Sequence, residues 1–118
     1  MRMRWVSGGV TAARGFVASG VSAGIKRSRQ PDLALVVSET AAVCAATFTT
    51  NRVKAPPVVI SQQRVKGGRA SAVLLNSVCA NCMTGEAGFH DALVLSHATA
   101  KSLGVPERQI LIASTGII

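Results

Sequence analysis

The sequence predicts an α/β fold, specifically an α+β layered domain in which helices pack on a mixed sheet. Short apolar segments with strand character alternate with turn residues, one long segment has helical periodicity, and a final apolar segment returns to strand character. Of the 118 residues 48% are hydrophobic but only 3% aromatic, so the core must consist of Val, Ala, Leu and Ile. Neither a repeat nor a long linker divides the chain, and residues 1–118 are therefore predicted to form a single domain segment.

The first half of the chain carries three predicted strands. Gly15–Ile25 alternates small and apolar residues, which indicates a strand with glycine bends. Leu33–Glu39 is an apolar run typical of a strand that is buried on both faces. After a short turn, Ala41–Thr50 is predicted to be its antiparallel neighbour.

The second half begins with a short helix and contains two further strands. The helix is predicted to start at Pro56 and Pro57 and to end at Gly67–Gly68, because proline favours the first helical turn and glycine favours the end. Arg69–Ser77 and Arg108–Ser114 are then predicted to be strands.

A long helix is predicted between these two strands. Thr84 and Gly85 offer its start, and Glu86 is well placed because a carboxylate interacts favourably with the positive end of the helix dipole. The helix is expected to span Glu86–Ser102 and to end at Gly104. Its apolar stripe is expected to comprise Phe89, Ala92 or Leu93, Ser96, Ala100 and Leu103.

The charge of the chain is strongly positive, with 13 Lys and Arg residues against 5 Asp and Glu residues and a net charge of +8. Such a balance raises the hypothesis of nucleic-acid binding. The basic residues, however, fall between apolar runs, and the chain has no Tyr and few other aromatic side chains that could stack on bases. We interpret them as solvated loop charge with some preference for acidic substrates or partners, and we predict no nucleic-acid partner.

Membrane insertion and export are not indicated by the sequence. No run approaches the roughly 20 apolar residues that span a bilayer. The N-terminal stretch is basic, but it lacks the continuous apolar segment and the cleavage site of a secretory signal. The predicted location is therefore cytoplasmic, with no membrane partner.

The chain has three cysteines, an odd number that does not suggest a disulfide framework. Cys79 and Cys82 form a C-x-x-C motif with His90 and His97 downstream, so a zinc site and a redox pair both have to be considered. The two histidines lie seven residues apart inside a helical pattern, which is the wrong spacing for common zinc fingers. We favour small cysteines that pack near a tight turn, and predict no metal.

Motifs with the same order and separations recur in one known family. They are GGVTAARGFVASGVSAGIK at Gly8–Lys26, DLALVVSE at Asp32–Glu39, NRVKAPPV at Asn51–Val58 and ASTGII at Ala113–Ile118. Each is weak alone, but together they resemble the N-terminal part of the ornithine acetyltransferase family, also called the bifunctional glutamate N-acetyltransferases of arginine biosynthesis. The resemblance covers nearly the whole chain, from Gly8 to Ile118.

The resemblance implies an N-terminal-nucleophile-type acyltransferase fold, of which this chain is the N-terminal part of the α chain. Family members are made as a precursor that cuts itself before a threonine, and this threonine becomes the nucleophile at the start of the β chain. It takes the acetyl group from N-acetylornithine as an ester and passes it to glutamate. The implied partners are the two substrates and the β chain, in a heterotetramer of two α and two β chains. No cofactor is implied, with acetyl-CoA as a possible donor substrate.

The resemblance also assigns the site residues. The Thr-Gly pair of the STG turn supplies the oxyanion hole in the family, and Thr115 and Gly116 are the matching positions. A strand followed by a glycine turn can aim a backbone N–H and a hydroxyl at one point, as an oxyanion requires. An isolated Ser-Thr-Gly would more simply end a strand, but the flanking motifs favour the oxyanion role.

One turn departs from the family pattern. The family has Asn-Ser-Gly-Asn-Ala-Asn before the long helix, whereas this chain has NSVCAN at Asn76–Asn81. Val78 stands where a positive φ or a close backbone approach is expected, which valine tolerates poorly. Cys79 replaces an amide side chain, so the turn is expected to be distorted.

The self-cleavage motif of the family, an Ala-Thr pair amid Met and Leu, is expected well after the STG turn. The two Ala-Thr pairs in this chain, Ala46–Thr47 and Ala98–Thr99, lie in a strand pattern and a helix pattern instead. We therefore expect a fragment that lacks the nucleophile and is inactive alone. We also expect an uncovered edge or apolar face at the final strand, with poor solubility or self-association as the result.

The function predicted from the sequence is that of a glutamate N-acetyltransferase, to which this chain contributes the oxyanion-hole segment but not the nucleophile. Amidases and aminopeptidases with an N-terminal nucleophile could share the architecture. The alternative from a different class is a small basic binding module that holds a metal through Cys79 and Cys82.

Overall fold

A four-stranded sheet and two helices organise the chain in the computed structural model, which describes residues 3–118. Short 3-10 helices at Gly9–Ala12 and Glu107–Gln109 precede the first and the last strand. In chain order the main elements are β1 (Phe16–Val21), β2 (Leu33–Val43), α1 (Pro56–Val65), β3 (Arg69–Asn76), α2 (Gly85–Leu103) and β4 (Ile110–Ser114).

The sheet is mixed, as the sequence predicts, with the strands arranged in the order β1-β2-β3-β4. The β1/β2 and β2/β3 pairs are antiparallel. The β3/β4 pair is parallel, and α2 is the crossover between these two strands. Because parallel strands end at the same side of a sheet, the segments that follow β3 and β4 lie side by side.

The prediction that Ala41–Thr50 forms a separate antiparallel strand is wrong. β2 continues to Val43, and residues 44–50 lie in no strand. Leu33–Val37 and Ala42–Val43 both pair with β3, with an irregularity in register between Val37 and Ala42. The sequence between Glu39 and Ala41 contains no Gly, Pro or Asn that would reverse the chain, so a bulge takes the place of a turn. The predicted strand at Gly15–Ile25 is confirmed in its central part, Phe16–Val21.

Helix α2 packs on one face of the sheet through small side chains. Ala92 is 1% exposed and lies in one core cluster with Ile112. Ala100 is 5% exposed and lies in a second cluster with Ala72 and Ile110. The predicted stripe is confirmed at Ala92, Ser96, Ala100 and Leu103, whereas Phe89 and Leu93 are 38% and 44% exposed. The buried residues Gly88, Ala92, Ser96 and Ala100 recur every four residues, which brings the helix backbone close to the sheet.

Helix α1 covers the free edge of β4. The buried Ser61 hydroxyl donates to the Ile112 carbonyl and accepts from the Ile112 N–H, both at 2.9 Å. Arg64 donates to the carbonyl oxygen of Ile110 at 2.8 Å. The expectation of an uncovered edge at the final strand is therefore wrong at this position, because polar side chains of a helix complete its backbone hydrogen bonds.

The sheet face opposite α2 is apolar. Val36, Val73 and Leu111 are neighbours in the strand register, and all three are half-buried. They alternate along the strands with the residues that face α2, and so they point to the other side. Each residue of β1 is exposed as well. This side of the sheet is therefore a half-buried apolar face, and the expected poor solubility or self-association stays a prediction.

A polar network joins both helices to the start of β4. Arg64 donates to Glu107 at 2.8 Å and also to Ser96, and His97 lies 3.2 Å from the other Glu107 oxygen. Burial alone would raise the pKa of Glu107, but the hydrogen bonds from His97 and Ser96 and the charge of Arg64 hold it below the ordinary value. The network therefore fixes the loop that leads into β4.

Candidate functional site

The predicted site residues lie at the sheet edge where β3 and β4 end together. Ser114 pairs with Asn76 at the last position of the parallel ladder, and Thr115 and Gly116 follow directly. The segment after β3 contains the divergent turn at Asn76–Asn81, so the two motifs singled out in the sequence are spatial neighbours. A strand end of a mixed α/β sheet is a common place for a ligand site.

Thr115 presents its hydroxyl, rather than its amide, to the surroundings. Its N–H donates to the Asn76 carbonyl at 3.0 Å and is therefore occupied. The side chain is exposed, and its hydroxyl has no hydrogen-bond partner among residues 3–118. The Gly116 N–H likewise has no acceptor within that part of the chain. One hydroxyl and one backbone amide from adjacent residues thus remain available as donors.

Gly116 is held against the neighbouring turn at a distance that only glycine permits. Its φ is 138°, and a Cβ built on it would lie 2.1 Å from both the carbonyl carbon and oxygen of Val78 and 2.6 Å from the Cys79 nitrogen. Such separations are far inside van der Waals contact. The glycine in the STG motif is therefore required by a close approach of two backbones.

Backbone hydrogen bonds join the two turns. The Ile117 N–H donates to the Val78 carbonyl at 2.7 Å, and the Ala80 N–H donates to the Ile117 carbonyl at 3.1 Å. Cys79 and Ile117 form a parallel bridge that extends the β3/β4 pairing beyond the strands. The donors of Thr115 and Gly116 thus lie within a segment that is fixed on both sides.

Val78 adopts the conformation that the sequence comparison with the family predicts for this position. Its φ is 84°, and Asn81 and Met83 also have positive φ, of 49° and 61°. A β-branched residue in this region is strained by about 1–3 kcal/mol. The turn keeps its hydrogen bonds to Ile117 despite the valine. The expected distortion of the turn is therefore limited to backbone strain at Val78.

The start of α2 is organised by side-chain hydrogen bonds that differ from an ordinary N-cap. The Thr84 hydroxyl donates to Asn81 at 2.7 Å, and the Asn81 amide donates to the Gly88 carbonyl at 2.8 Å. Thr84 precedes the helix as predicted, and Glu86 lies in its first turn, but Thr84 makes no side-chain cap. A Cβ at Gly88 would lie 1.8 Å from the Thr84 hydroxyl oxygen, so glycine is required there too.

Two cavities flank the end of the sheet, one on each face. The larger, of about 620 Å³, lies between the sheet and α2. The smaller, of about 220 Å³, lies on the opposite face and includes Thr115, Ser77 and Asp32. Ser114 and Thr115 thus border different cavities, as expected for successive residues of an extended chain. Polar side chains of the larger cavity are those of Asn76, Cys79, Asn81, Thr84, Asp91 and Ser114.

Asp32 is a buried anchor below this site that the sequence reasoning did not single out. Its carboxylate accepts the N–H groups of Lys26 at 2.7 Å and of Ala23 at 2.6 Å. These bonds, that of Lys26 first, hold the pKa of Asp32 below its ordinary value. Its backbone carbonyl accepts the Ser77 N–H at 2.9 Å and so ties the loop after β1 to the end of β3.

The cysteines and histidines do not come together. Cys79 is exposed, Cys82 is half-buried, and neither is in a disulfide. His90 lies 3.7 Å from Asp91, and His97 contacts Glu107 at the far end of α2. Within residues 3–118, no three or more His, Cys, Asp or Glu side chains are grouped so that they could hold a metal ion. No helix in the same range is long and apolar enough to cross a bilayer.

Comparison with curated proteins finds close relatives along the whole chain. The arginine biosynthesis bifunctional protein ArgJ of Synechococcus sp. is 49% identical over 121 residues, which cover 100% of this chain and 29% of the relative. The protein of the same name from Caldanaerobacter subterraneus subsp. tengcongensis is 48% identical over 116 residues, covering 98% of this chain and 28% of the relative. The chain thus spans less than a third of the length of these relatives.

Solved structures share the fold. The crystal structure of the arginine biosynthesis bifunctional protein ArgJ from Bacillus halodurans matches with a TM-score of 0.90 and 38% identity, covering 94% of this chain and 58% of that one. The ornithine acetyltransferase of Mycobacterium tuberculosis, solved in complex with ornithine, matches with a TM-score of 0.88 and 46% identity, covering 92% and 60%. Both agree with an N-terminal-nucleophile-type fold of which this chain is a part. The family model described as the ArgJ family matches residues 17–118, and the chain therefore belongs to the ArgJ family.

Proposed function

We propose that the protein containing this segment is a glutamate N-acetyltransferase that transfers acetyl from N-acetylornithine to glutamate, with Thr115 and Gly116 as its oxyanion hole. The observation that carries the proposal is the pair of free donors, the Thr115 hydroxyl and the Gly116 amide, on one fixed turn at the end of β4. Membership of the ArgJ family supports the substrate class, since one solved relative is an ornithine acetyltransferase that holds ornithine.

The proposed reaction consists of two acyl transfers through one threonine nucleophile outside this segment. In the first, the threonine oxygen bonds to the acetyl carbonyl carbon, the carbon–nitrogen bond of N-acetylornithine breaks, and the leaving amine takes up a proton. In the second, the glutamate amine attacks the resulting ester, the carbon–oxygen bond to threonine breaks, and the threonine recovers its proton. The α-amine of the threonine serves as the base that accepts and returns this proton.

The role of Thr115 and Gly116 follows from the charge that develops in both steps. Each attack places negative charge on the acetyl oxygen, and fixed donors that point to this oxygen stabilise the tetrahedral state. The bonds of Thr115 to Asn76 and of Ile117 to Val78 hold the turn before substrate arrives. No reorganisation is then needed at the moment of reaction, which is the main energetic advantage of such a site.

The proposed partner of this segment is a β chain that carries the nucleophile. The threonine is expected at the start of a β chain cut from the same precursor, in an assembly of two α and two β chains in the cytoplasm. The half-buried apolar face formed by Val36, Val73 and Leu111 offers this α segment a surface for association. The proposed chemistry uses no cofactor, and acetyl-CoA is a second donor substrate to be assayed.

The test uses the natural full-length protein with Thr115→Ala and Thr115→Ser. Ornithine release from N-acetylornithine is measured in the presence of glutamate. Thr115→Ala should lower kcat about a hundred-fold, the usual scale for one oxyanion donor, while Thr115→Ser keeps the hydroxyl and most of the rate. The KM should change little, because the donor acts on charge that develops after binding. Near-normal turnover of Thr115→Ala would refute the assignment.

A further inference from the structure

We infer that Asn76 is a positioning residue that sets the geometry of the Thr115–Gly116 turn, and this inference rests on the proposed function of that turn. Asn76 is the last residue of β3 and touches the site from the neighbouring strand. Its exposure is intermediate, and its side chain borders the larger cavity. The family resemblance in the sequence assigned it no role.

Asn76 contacts the turn through both its backbone and its side chain. Its carbonyl oxygen accepts the Thr115 N–H at 3.0 Å, which fixes the residue that carries the proposed hydroxyl donor. Its side-chain oxygen accepts the Ser114 hydroxyl at 2.6 Å. Two successive residues of the turn segment are thus bound to one asparagine.

The other side-chain group of Asn76 reaches the opposing turn. Its amide nitrogen donates to the Cys79 carbonyl at 2.9 Å, next to the Val78 carbonyl that binds Ile117. The orientation of the amide follows from these partners, because a flipped side chain would place its oxygen against the Cys79 carbonyl. Asn76 is therefore a bridge between Ser114–Thr115, which precede Gly116 in the chain, and the Val78–Cys79 turn, which contacts Gly116 in space.

This bridge determines where the Gly116 amide points. Gly116 is flanked by Thr115, which is bound to Asn76, and by Ile117, which is bound to the turn that Asn76 holds in place. Loss of the side-chain amide frees the Cys79 carbonyl and allows the two turns to separate. We expect the Thr115 hydroxyl and the Gly116 amide then to lose the fixed relative position that the proposed oxyanion hole requires.

The kinetic test uses Asn76→Ala and Asn76→Asp in the full-length enzyme. Asp has the shape of Asn and keeps an acceptor for Ser114, but it replaces the donor to the Cys79 carbonyl by an oxygen. Both variants should lower kcat at least about ten-fold and leave KM within about two-fold. The matched control is Asn51→Ala, because the Asn51 side chain accepts only a local N–H, from Val53 at 2.9 Å, in an exposed loop.

A double-mutant cycle separates positioning from a general loss of structure. If Asn76 acts through the turn, Asn76→Asp should cost much less in a Thr115→Ala background than in the wild-type background, at most about three-fold. A purely structural defect would reduce kcat by the same factor in both backgrounds. Equal factors would overturn the inference even if Thr115 is confirmed as an oxyanion donor.

Hydrogen exchange provides a readout that does not require acetyl transfer. In Asn76→Asp, the amides of Thr115 and Ile117, which are hydrogen-bonded in the two turns, should exchange at least about ten-fold faster than in the wild type, with the amides of α2 unchanged. Asn51→Ala should leave both sets of amides unchanged. Wild-type rates at Thr115 and Ile117 of Asn76→Asp would overturn the inference. If the wild-type protein has no acetyl-transfer activity, the proposed reaction is refuted. Faster exchange in Asn76→Asp would then still support the bridge.

Discussion

Gly116 and Val78 form a backbone contact so close that the conformation of each depends on the other. The Val78 carbonyl lies where a side chain on Gly116 would begin, and the same carbonyl accepts the N–H of Ile117. Val78 reaches this position only with a φ of 84°. Substitutions at the two positions should therefore change the stability in opposite directions. A side chain at position 116 should lower it, and a glycine at position 78 should raise it.

Gly116→Ala should destabilise the protein and abolish turnover. The added Cβ would meet the Val78 carbonyl at 2.1 Å, so the two turns would have to separate. Gly24→Ala is the matched control, because Gly24 also has a positive φ, 88°, but has open space around it. We expect the free energy of unfolding to fall by at least about 2 kcal/mol more in Gly116→Ala than in Gly24→Ala, as measured by urea unfolding. Equal losses would show that only backbone strain matters at Gly116.

Val78→Gly should stabilise the protein. Glycine adopts a φ of 84° without steric cost, and the release of strain outweighs its greater entropy in the unfolded state by about 1 kcal/mol. Val78→Ala keeps a Cβ but loses the β-branch, so its free energy of unfolding should lie between those of the wild type and of Val78→Gly. A calorimetric Tm of Val78→Gly at or below that of the wild type would contradict a strained valine at this position.

Ser61→Ala should lower the free energy of unfolding, because Ser61 completes the hydrogen bonds at the edge of β4. The substitution leaves the N–H and carbonyl of the buried Ile112 without partners on that side, at a cost of about 2 kcal/mol. Ser102→Ala serves as the control, since Ser102 is exposed on α2 and the gain in helix propensity is similar. Chemical unfolding of both variants measures the difference. A Ser61→Ala protein as stable as Ser102→Ala would mean that water replaces the hydroxyl.

The low pKa of Asp32 makes stability depend on pH in the acid range. Since the pKa is below the ordinary value of 3.8 in the folded state, ionised Asp32 contributes stability at higher pH, and this contribution is lost as pH falls through the folded pKa. Asp32→Asn should therefore be destabilised relative to the wild type at about pH 6, with a smaller difference at about pH 3. Unfolding at both pH values tests this, with Asp91→Asn as a control for the loss of one charge. A difference that is independent of pH would contradict the assignment.

Much of the fold could be predicted from local signals. Pro56 and Gly67 mark the limits of α1, and Gly104 ends α2 in the left-handed conformation, with a φ of 66°. The extension of β2 through Val43 was not predicted, because the irregularity that replaces a turn depends on pairing with β3. Helical periodicity predicts Phe89 in the apolar stripe, yet Phe89 is exposed, because the close packing of α2 on the sheet selects alanine and glycine at the contact positions.

The site was predictable only in part. The positive φ of Val78 followed from the family pattern and is confirmed, whereas the oxyanion role of Thr115 and Gly116 stays a prediction. Asn76 and Asp32 could not be found from local sequence, because their partners lie in other strands and loops. The register between β3 and β4 decides that Asn76 faces Ser114, and register is a property of the folded sheet.

The parallel pairing of β3 with β4 also has a kinetic consequence. The hydrogen bond between Ser114 and Asn76 joins residues 38 positions apart, with all of α2 between them. Closing a loop of this size costs conformational entropy before any contact at the strand ends is gained. The Thr115–Gly116 turn therefore acquires its shape only once the crossover helix has docked, and a peptide containing the STG motif alone would not hold its donors in place.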